Sequence, residues 1–254
     1  MNNDVQKNHV PILCGYKEVS RTFTYGIFIA LPLLIAYKVG LVGGGMNGAE
    51  LILSHVGSFF GALSLDVGFI ISSMALVIGI GVYIFREKRR MGNIDIHPIY
   101  AVLTIKEALF VAVPTVLIAS LISFGRFPPP AFTEYESFLE IPKMFSEAAG
   151  AGFFEELLFR VLILGGIVSF MKKYFPKIRW TEAVGILAVS LLFTAWHYTG
   201  WLGLAADEFH YSTFMYRFLF SLVYGVIYLK RGYASAAWTH TTANMINTLA
   251  IMML

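Results

Sequence analysis

Seven apolar segments, each close in length to the thickness of a lipid bilayer, limit what this sequence can fold into. A helix needs about 20 apolar residues to cross the hydrocarbon core of a membrane. The segments that meet or approach this length are residues 23–41, 66–85, 104–124, 149–171, 181–199, 211–229 and 234–254. A shorter apolar stretch, residues 49–63, is predicted to be re-entrant or interfacial. The sequence therefore predicts an all-α fold, a polytopic transmembrane helix bundle of about seven spans.

Charged residues are too few to cover a water-facing surface. They make up 14% of the 254 residues, whereas 57% are hydrophobic. An average soluble domain is about 25% charged. The small net charge of +3 and the short basic clusters argue against a nucleic-acid-binding surface. The single cysteine, Cys14, excludes an intramolecular disulfide and a multi-cysteine metal site. The lipid bilayer is therefore the expected partner of most of the surface.

Basic residues cluster between the apolar segments and predict the orientation of the chain. The clusters contain Lys17 and Arg21, Arg86 to Arg90, Lys172 to Arg179, and Lys230 with Arg231. All of them fall on one side of the membrane if residues 49–63 do not cross it, and positively charged loops stay in the cytoplasm. We therefore expect a multi-pass protein of a bacterial or archaeal cell membrane, with its N-terminus in the cytoplasm and its C-terminus outside.

The predicted outer loop between the third and fourth spans has two distinct parts. Phe127 is followed by three prolines, which cannot continue a helix and make the loop stiff. Residues 134–147 mix charged and apolar side chains. This mixture predicts an amphipathic helix that lies at the outer membrane interface.

Several polar side chains lie inside the predicted spans, where a charge costs at least about 2.5 kcal/mol. The fourth span contains Glu155, Glu156 and Arg160, the fifth His197, the sixth Arg217, and the seventh His240 and Asn244. We interpret Arg217 as a helix-end residue whose guanidinium reaches the interface. The two glutamates, two histidines and asparagine, which come from three helices, together indicate a functional site.

Helical spacing separates the two glutamates. Glu156 and Arg160 are four residues apart, so they share a helix face and are expected to pair. Glu155 lies about 100° round the helix from Glu156 and faces other neighbours. His240 and Asn244 are also four residues apart, so they share a helix face as well.

Depth along the spans fits a shared cavity less well. Glu155 and His197 fall in the outer halves of their spans, whereas Asn244 lies near mid-membrane and His240 on its cytoplasmic side. A common cavity therefore requires the seventh helix to tilt or to begin later than residue 234.

Three short motifs carry these residues. They are Glu155-Glu156-x-x-x-Arg160, Phe193-x-x-x-His197 and His240-x-x-x-Asn244. In this order and at these intervals they resemble the CAAX protease and bacteriocin-processing (CPBP, Abi) family, which contains the type II CAAX prenyl endopeptidases (Ras-converting enzymes). The resemblance covers residues 149–254, which we therefore interpret as a four-helix catalytic core. A cytoplasmic segment, residues 1–22, and a region of transmembrane helices with an outer loop, residues 23–148, precede it.

The resemblance implies an intramembrane glutamic endopeptidase that uses no cofactor. In this family, the first glutamate of the pair and the histidine of the second motif activate a water molecule. Applied to this sequence, the resemblance implies that Glu155 is the general base and that His197 assists it. Asn244 and His240 are implied to face the oxyanion that develops on the substrate.

The second glutamate also belongs to the catalytic motif, but its implied role is supportive. Glu156 and Arg160 would hold the site together, and Phe193 would support the histidine of its motif. The residue types suit this chemistry, because apolar surroundings disfavour the charged form of a carboxylate and strengthen it as a base near pH 7. Amide and imidazole N–H groups are competent oxyanion donors.

Three other functions remain compatible with these residues. Glu155, His197 and His240 could bind zinc in a metal-dependent protease, although the motif HExxH is absent. Intramembrane ionisable groups also serve as proton relays in transporters. A non-catalytic immunity or scaffold protein is the third alternative.

The predicted orientation limits the substrate. It places Glu155 and His197 toward the outside of the cell, whereas a prenylated CAAX tail is made in the cytosol. We therefore expect a membrane-associated peptide or protein that has already been translocated, cleaved near a C-terminal tail or sorting signal.

Overall fold

Helices account for almost all of the chain that the structure describes. The computed structural model describes residues 12–40, 65–91, 97–127, 140–199 and 207–253. The helices are α1 (Ile12–Val19), α2 (Phe23–Gly40), α3 (Leu65–Met91), α4 (Pro98–Phe124), α5 (Ile141–Gly150), π1 (Ala151–Glu155), π2 (Leu157–Leu164), α6 (Gly165–Tyr174), α7 (Thr181–Trp196), α8 (Tyr211–Arg231) and α9 (Tyr233–Met252). These ranges contain no strand, which confirms the predicted all-α bundle.

Three of the described helices are long and apolar enough to cross a membrane. These are α2, α4 and α8, and α7 is a shorter apolar helix. On α4 the Phe110 side chain is 80% exposed, which suits a surface covered by lipid. The chain is therefore an integral membrane protein, although the number of spans stays a prediction. The stretch 49–63 and the three prolines at 128–130 lie outside the described residues.

The last helix, α9, runs through the interior of the bundle. It contacts α2, α4, α5, α8 and both π segments. Alanines at positions 234, 236, 237 and 243 are fully buried along it, and such small side chains let neighbouring helices approach closely. Gly232 joins α8 to α9 with φ +87°, a conformation that side chains other than glycine rarely adopt. Most of the polar side chains of α9, including that of His240, are therefore buried.

The helix that carries the two glutamates is longer than the sequence predicts. Residues 141–174 keep right-handed helical backbone angles at every junction from α5 through π1 and π2 to α6. The helix begins at Ile141, eight residues before the start of the predicted fourth span. Glu155 lies near the middle of this helix, and its Oε2 is 3.9 Å from Nε2 of His240, although α9 begins at Tyr233 and not later than predicted.

The described part of the predicted interfacial helix, residues 141–147, forms the first turns of this long helix and is not separate from it. Met144 and Ser146 are buried, and the Ser146 hydroxyl donates a hydrogen bond of 3.0 Å to the carbonyl of Tyr37 on α2. The amphipathic pattern arises because one face packs on α2 and the other does not.

The π-helical turns occur where α9 comes closest. A Cβ on Gly152 would lie 2.5 Å from the carbonyl oxygen of Ala237, so glycine is needed for this approach. The Tyr233 hydroxyl donates to the Phe153 carbonyl at 2.8 Å, and the Thr241 hydroxyl donates to the Ala148 carbonyl at 3.3 Å. Short π segments inside α-helices are frequent at functional sites.

Most of the predicted cytoplasmic clusters meet at one end of the bundle. Arg231 at the end of α8 pairs with Glu107 of α4 at 2.9 Å, and the same carboxylate accepts a 2.9 Å hydrogen bond from Tyr16 of α1. Glu87, within the basic end of α3, accepts hydrogen bonds from the backbone N–H groups of Phe23 and Thr24 at the start of α2. These contacts are consistent with the grouping of basic residues on a single side.

Candidate active site

One cavity of about 240 Å³ brings together residues from all three motifs. Its lining includes Glu155 from π1, Phe193 from α7, His197 just beyond α7, and His240 and Asn244 from α9. The sequence predicted that these residues act together, and the structure places them around the same space. The predicted site residues Glu156 and Arg160 lie beneath this cavity and not in its wall.

The two glutamates have different environments. The side chain of Glu155 is 17% exposed and borders the cavity, whereas Glu156 is completely buried. The predicted separation of the pair is therefore confirmed, although the segments around them are π-helical. Glu155 can reach a substrate or a water molecule, and Glu156 can act only through its protein neighbours.

Arg160 is the counter-charge of the buried glutamate. Its Nε lies 3.1 Å from Oε2 of Glu156, and both side chains are 0% exposed. Its Nη2 donates a 3.1 Å hydrogen bond to the Ser221 hydroxyl on α8. The guanidinium also lies 5.1 Å from the centre of the Phe193 ring and 6.0 Å from that of Tyr224, a cation–π arrangement. The predicted Glu156–Arg160 pair is confirmed, and it joins π2 to α7 and α8.

His240 lies between the two glutamates. Its Nδ1 is 2.9 Å from Oε1 of Glu156, and its Nε2 is 3.9 Å from Oε2 of Glu155. Because an ionised carboxylate can only accept, Nδ1 donates to Glu156. The Tyr224 ring stacks on the imidazole at a centroid distance of 4.7 Å and an angle of 22°. The imidazole plane is therefore fixed, with Nε2 directed toward the catalytic side of the site.

His197 has one ring nitrogen engaged by its own helix. Its Nδ1 lies 2.9 Å from the carbonyl oxygen of Phe193, and a carbonyl can only accept a hydrogen bond. Nδ1 therefore carries a proton, and in the neutral ring Nε2 has the lone pair. The backbone carbonyl of His197 accepts a 2.9 Å hydrogen bond from the N–H of Asp207, which ties this end of α7 to the segment before α8.

The α8 wall of the cavity contains residues that the sequence analysis missed. Arg217, Phe220 and Tyr224 follow one face of α8 and all line the cavity. Their spacing of three and four residues is the signal that would have found them. Arg217, interpreted above as a helix-end residue whose guanidinium reaches the interface, lines the cavity and pairs with Asp207.

Asn244 is accompanied by a second asparagine one turn further along α9. Asn247 also lines the cavity, and its Oδ1 accepts a 2.6 Å hydrogen bond from the Tyr216 hydroxyl on α8. The α9 side of the cavity therefore presents two side-chain amides.

The zinc alternative requires several metal-ligating side chains close together. Among them, no three histidine, cysteine, aspartate or glutamate side chains are grouped as a metal site requires. Nδ1 of His240 is occupied by Glu156 and Nδ1 of His197 by the Phe193 carbonyl. Each imidazole would have only its Nε2 to offer a metal ion.

Residues 137–246 match the family model described as type II CAAX prenyl endopeptidase Rce1-like. This range contains all three motifs and every residue of the cavity discussed above except Asn247. No curated protein and no solved structure matches the chain.

Proposed function

We propose, from the premise that residues 137–246 belong to the Rce1-like family of type II CAAX prenyl endopeptidases, that this protein is an intramembrane endopeptidase. It hydrolyses a peptide bond near the membrane-associated part of its substrate. The observation that carries the proposal is the single cavity lined by Glu155, His197, His240 and Asn244.

Glu155 is the proposed general base. It borders the cavity, and its Oε2 lies 3.9 Å from Nε2 of His240. In the proposed step, a water molecule gives a proton to Glu155 and its oxygen attacks the carbonyl carbon of the scissile bond. The same proton then passes to the leaving nitrogen as the C–N bond breaks. His197 supports this step, because its Nε2 lone pair can accept a hydrogen bond from the same water molecule.

Asn244 and His240 are the proposed donors to the oxyanion. The Asn244 amide can donate in its ordinary state, whereas His240 can donate from Nε2 only when the ring carries both protons. Oε1 of Glu156, 2.9 Å from Nδ1, holds the imidazole in place. Glu156 thus supports the oxyanion site through Nδ1 of His240.

The proposal is tested by cleavage in a reconstituted membrane. The full chain is placed in phosphatidylcholine–phosphatidylglycerol liposomes with a library of N-terminally palmitoylated, internally quenched peptides, and the products are identified by mass spectrometry. His197→Ala is expected to lower kcat by about 10²-fold with a smaller change in KM, because the histidine acts on the water and not on peptide binding. Cleavage should persist in the presence of a chelator.

Two results would contradict this proposal. If the chelator abolished cleavage and zinc restored it, a metal-dependent mechanism would replace the glutamate base. If the wild-type protein cleaved no member of the library, the transporter and non-catalytic alternatives would become the better explanations.

We also propose that the cavity opens on the extracytoplasmic side and that the substrate has already been translocated. The meeting of basic clusters at the end of the bundle that contains Arg231 and Glu107 supports this orientation. Alkaline phosphatase fused after residue 254 is expected to be active, because this enzyme folds only outside the cytoplasm. A reporter that folds only in the cytoplasm is expected to be inactive at the same position. Activity of a cytoplasmic reporter at the same position would reverse the orientation and favour a cytosolic tail as substrate.

A further inference from the structure

A groove between α4 and α8 is larger than the catalytic cavity. Its first part has a volume of about 500 Å³ and is formed by α4, α8 and the beginning of α9. A second part of about 390 Å³ continues between α4 and α8. Phe110 and Val111 border both parts, which therefore form one continuous space. We call this space the α4–α8 groove.

The α4–α8 groove is separate from the catalytic cavity. Leu219 and Val223 of α8 line the groove, whereas Tyr216 and Phe220 on another face of the same helix line the cavity. Among the described residues, none lines both spaces. The Phe110 side chain, where the two parts of the groove meet, is 80% exposed. The groove therefore faces the bilayer and has no part in the hydrolysis proposed above.

The walls of the groove suit a hydrocarbon chain. The hydroxyl groups of Thr115, Ser235 and Thr239 donate to carbonyls of their own helices, at 2.7, 3.4 and 2.6 Å, and need no further partner. Along α4 the groove extends from Leu103 to Ile122, which corresponds to about 28 Å at 1.5 Å per residue. One leaflet contributes about 15 Å to the hydrocarbon core of a bilayer. An acyl chain from a single leaflet therefore fits along the groove.

Charged side chains border the described groove at one end only. Glu107 and Arg231 form an ion pair of 2.9 Å there, and the Tyr16 hydroxyl donates to the same carboxylate at 2.9 Å. The negative charge of Glu107 is thus already matched. Lys106 also lines this end, is exposed, and forms no ion pair with any described residue. The end of the groove consequently has an excess of positive charge.

The position of Lys106 along α4 places this charge near the lipid headgroups. Lys106 lies about 12 Å from the beginning of the helix at Pro98. The whole helix is about 40 Å long, whereas the hydrocarbon core is about 30 Å thick. The long side chain of Lys106 can therefore reach the boundary of the core with its ammonium group. Basic pockets between membrane helices at this level bind anionic headgroups.

We propose that the α4–α8 groove binds one anionic phospholipid, with its phosphate at Lys106 and one acyl chain along the groove. The Arg231 guanidinium borders the same end and lies 4.7 Å from the centre of the Tyr16 ring, which holds it there. A zwitterionic headgroup has its own cation beside the phosphate and gains less from Lys106. The inference goes beyond the proposed peptidase function and does not depend on it.

The test compares two lipids that have the same acyl chains. Native mass spectrometry of the full chain in detergent gives the Kd of the first bound dioleoylphosphatidylglycerol and dioleoylphosphatidylcholine. We expect the wild-type protein to bind the anionic lipid about 5-fold more tightly, the effect of one basic residue near the headgroup. In Lys106→Gln this ratio should fall to about one, and in Lys106→Arg it should persist.

A matched variant controls for the general attraction of basic residues to anionic lipid. Lys173→Gln removes an exposed cation near the end of α6 that does not line the groove, so the ratio should stay at the wild-type value. A wild-type ratio of one would overturn the proposal. A preference that survives Lys106→Gln would overturn it as well.

A labelling experiment locates the bound lipid. Phosphatidylglycerol with a photoreactive diazirine in one acyl chain should label residues 103–122 of α4 and 219–231 of α8 in the wild-type protein, and unlabelled phosphatidylglycerol should displace it. Val111→Trp fills the groove and should lower this labelling, whereas Val113→Trp, on an exposed position of α4 outside the groove, should not. Thermal unfolding checks the fold of both variants. If Val111→Trp does not fold, the wild-type map decides by itself.

The same map identifies other occupants of the groove. Equal labelling of all exposed helices would indicate ordinary lipid contact and would overturn the proposal. Protection of α4 and α8 in a dimer without bound lipid would assign the groove to a second copy of the chain. Displacement of the probe by an N-palmitoylated neutral peptide, but not by phosphatidylglycerol, would assign it to the anchor of the substrate. Either assignment would replace the phospholipid.

Discussion

Glu155→Gln is expected to lower kcat by about 10³-fold while the protein stays folded. Glutamine has nearly the same shape as glutamate but cannot accept a proton from water, and general base catalysis contributes about 10²- to 10⁴-fold. Glu155 is partly exposed to the cavity, and its Oε2 lies 3.9 Å from Nε2 of His240. Neutralising it should therefore remove the base with little cost to packing.

The measurement is the initial rate of peptide cleavage in liposomes, with thermal unfolding in detergent as a check of the fold. Glu140→Gln is a matched control, because this carboxylate stands before α5 and does not line the cavity. Its activity should equal that of the wild-type protein. A rate for Glu155→Gln within a factor of a few of the wild-type rate would assign the base to another group.

Arg160→Met is expected to cost about 3–5 kcal/mol of unfolding free energy, the cost typical of breaking a buried ion pair. The change leaves Glu156 completely buried with the His240 ring as its remaining described partner. It also removes the guanidinium from the Ser221 hydroxyl and from the faces of Phe193 and Tyr224. Equilibrium unfolding in mixed micelles measures the difference from the wild-type protein.

A second variant separates the structural role of this pair from its role in catalysis. Glu156→Leu combined with Arg160→Met replaces both charges by apolar side chains and should recover most of the lost stability. It also removes the carboxylate that accepts from Nδ1 of His240, so activity should stay low. If the double variant were as unstable as Arg160→Met alone, the cost would lie in packing and not in the unpaired charge. Recovery of activity would exclude the proposed support of His240 by Glu156.

Local features of the molecule could be predicted because they depend on spacing along one helix. The apolar segments predicted a helical membrane protein, and the three long apolar helices and the family match agree with this. The four-residue interval predicted the contact between Glu156 and Arg160, which are 3.1 Å apart. The same argument separated Glu155, which borders the cavity, from its buried neighbour.

Contacts between helices required the tertiary structure, because spacing along one helix does not determine its depth beside another. The bond between His240 and Glu156 depends on where α9 lies against the π-helical turns, and this depends on Gly152 and on the start of the long helix at Ile141. The position of Arg217 in the cavity wall likewise followed from which face of α8 borders the cavity. The sequence by itself determined which residues are chemically capable, and only the packing of the helices decided which of them face the same space.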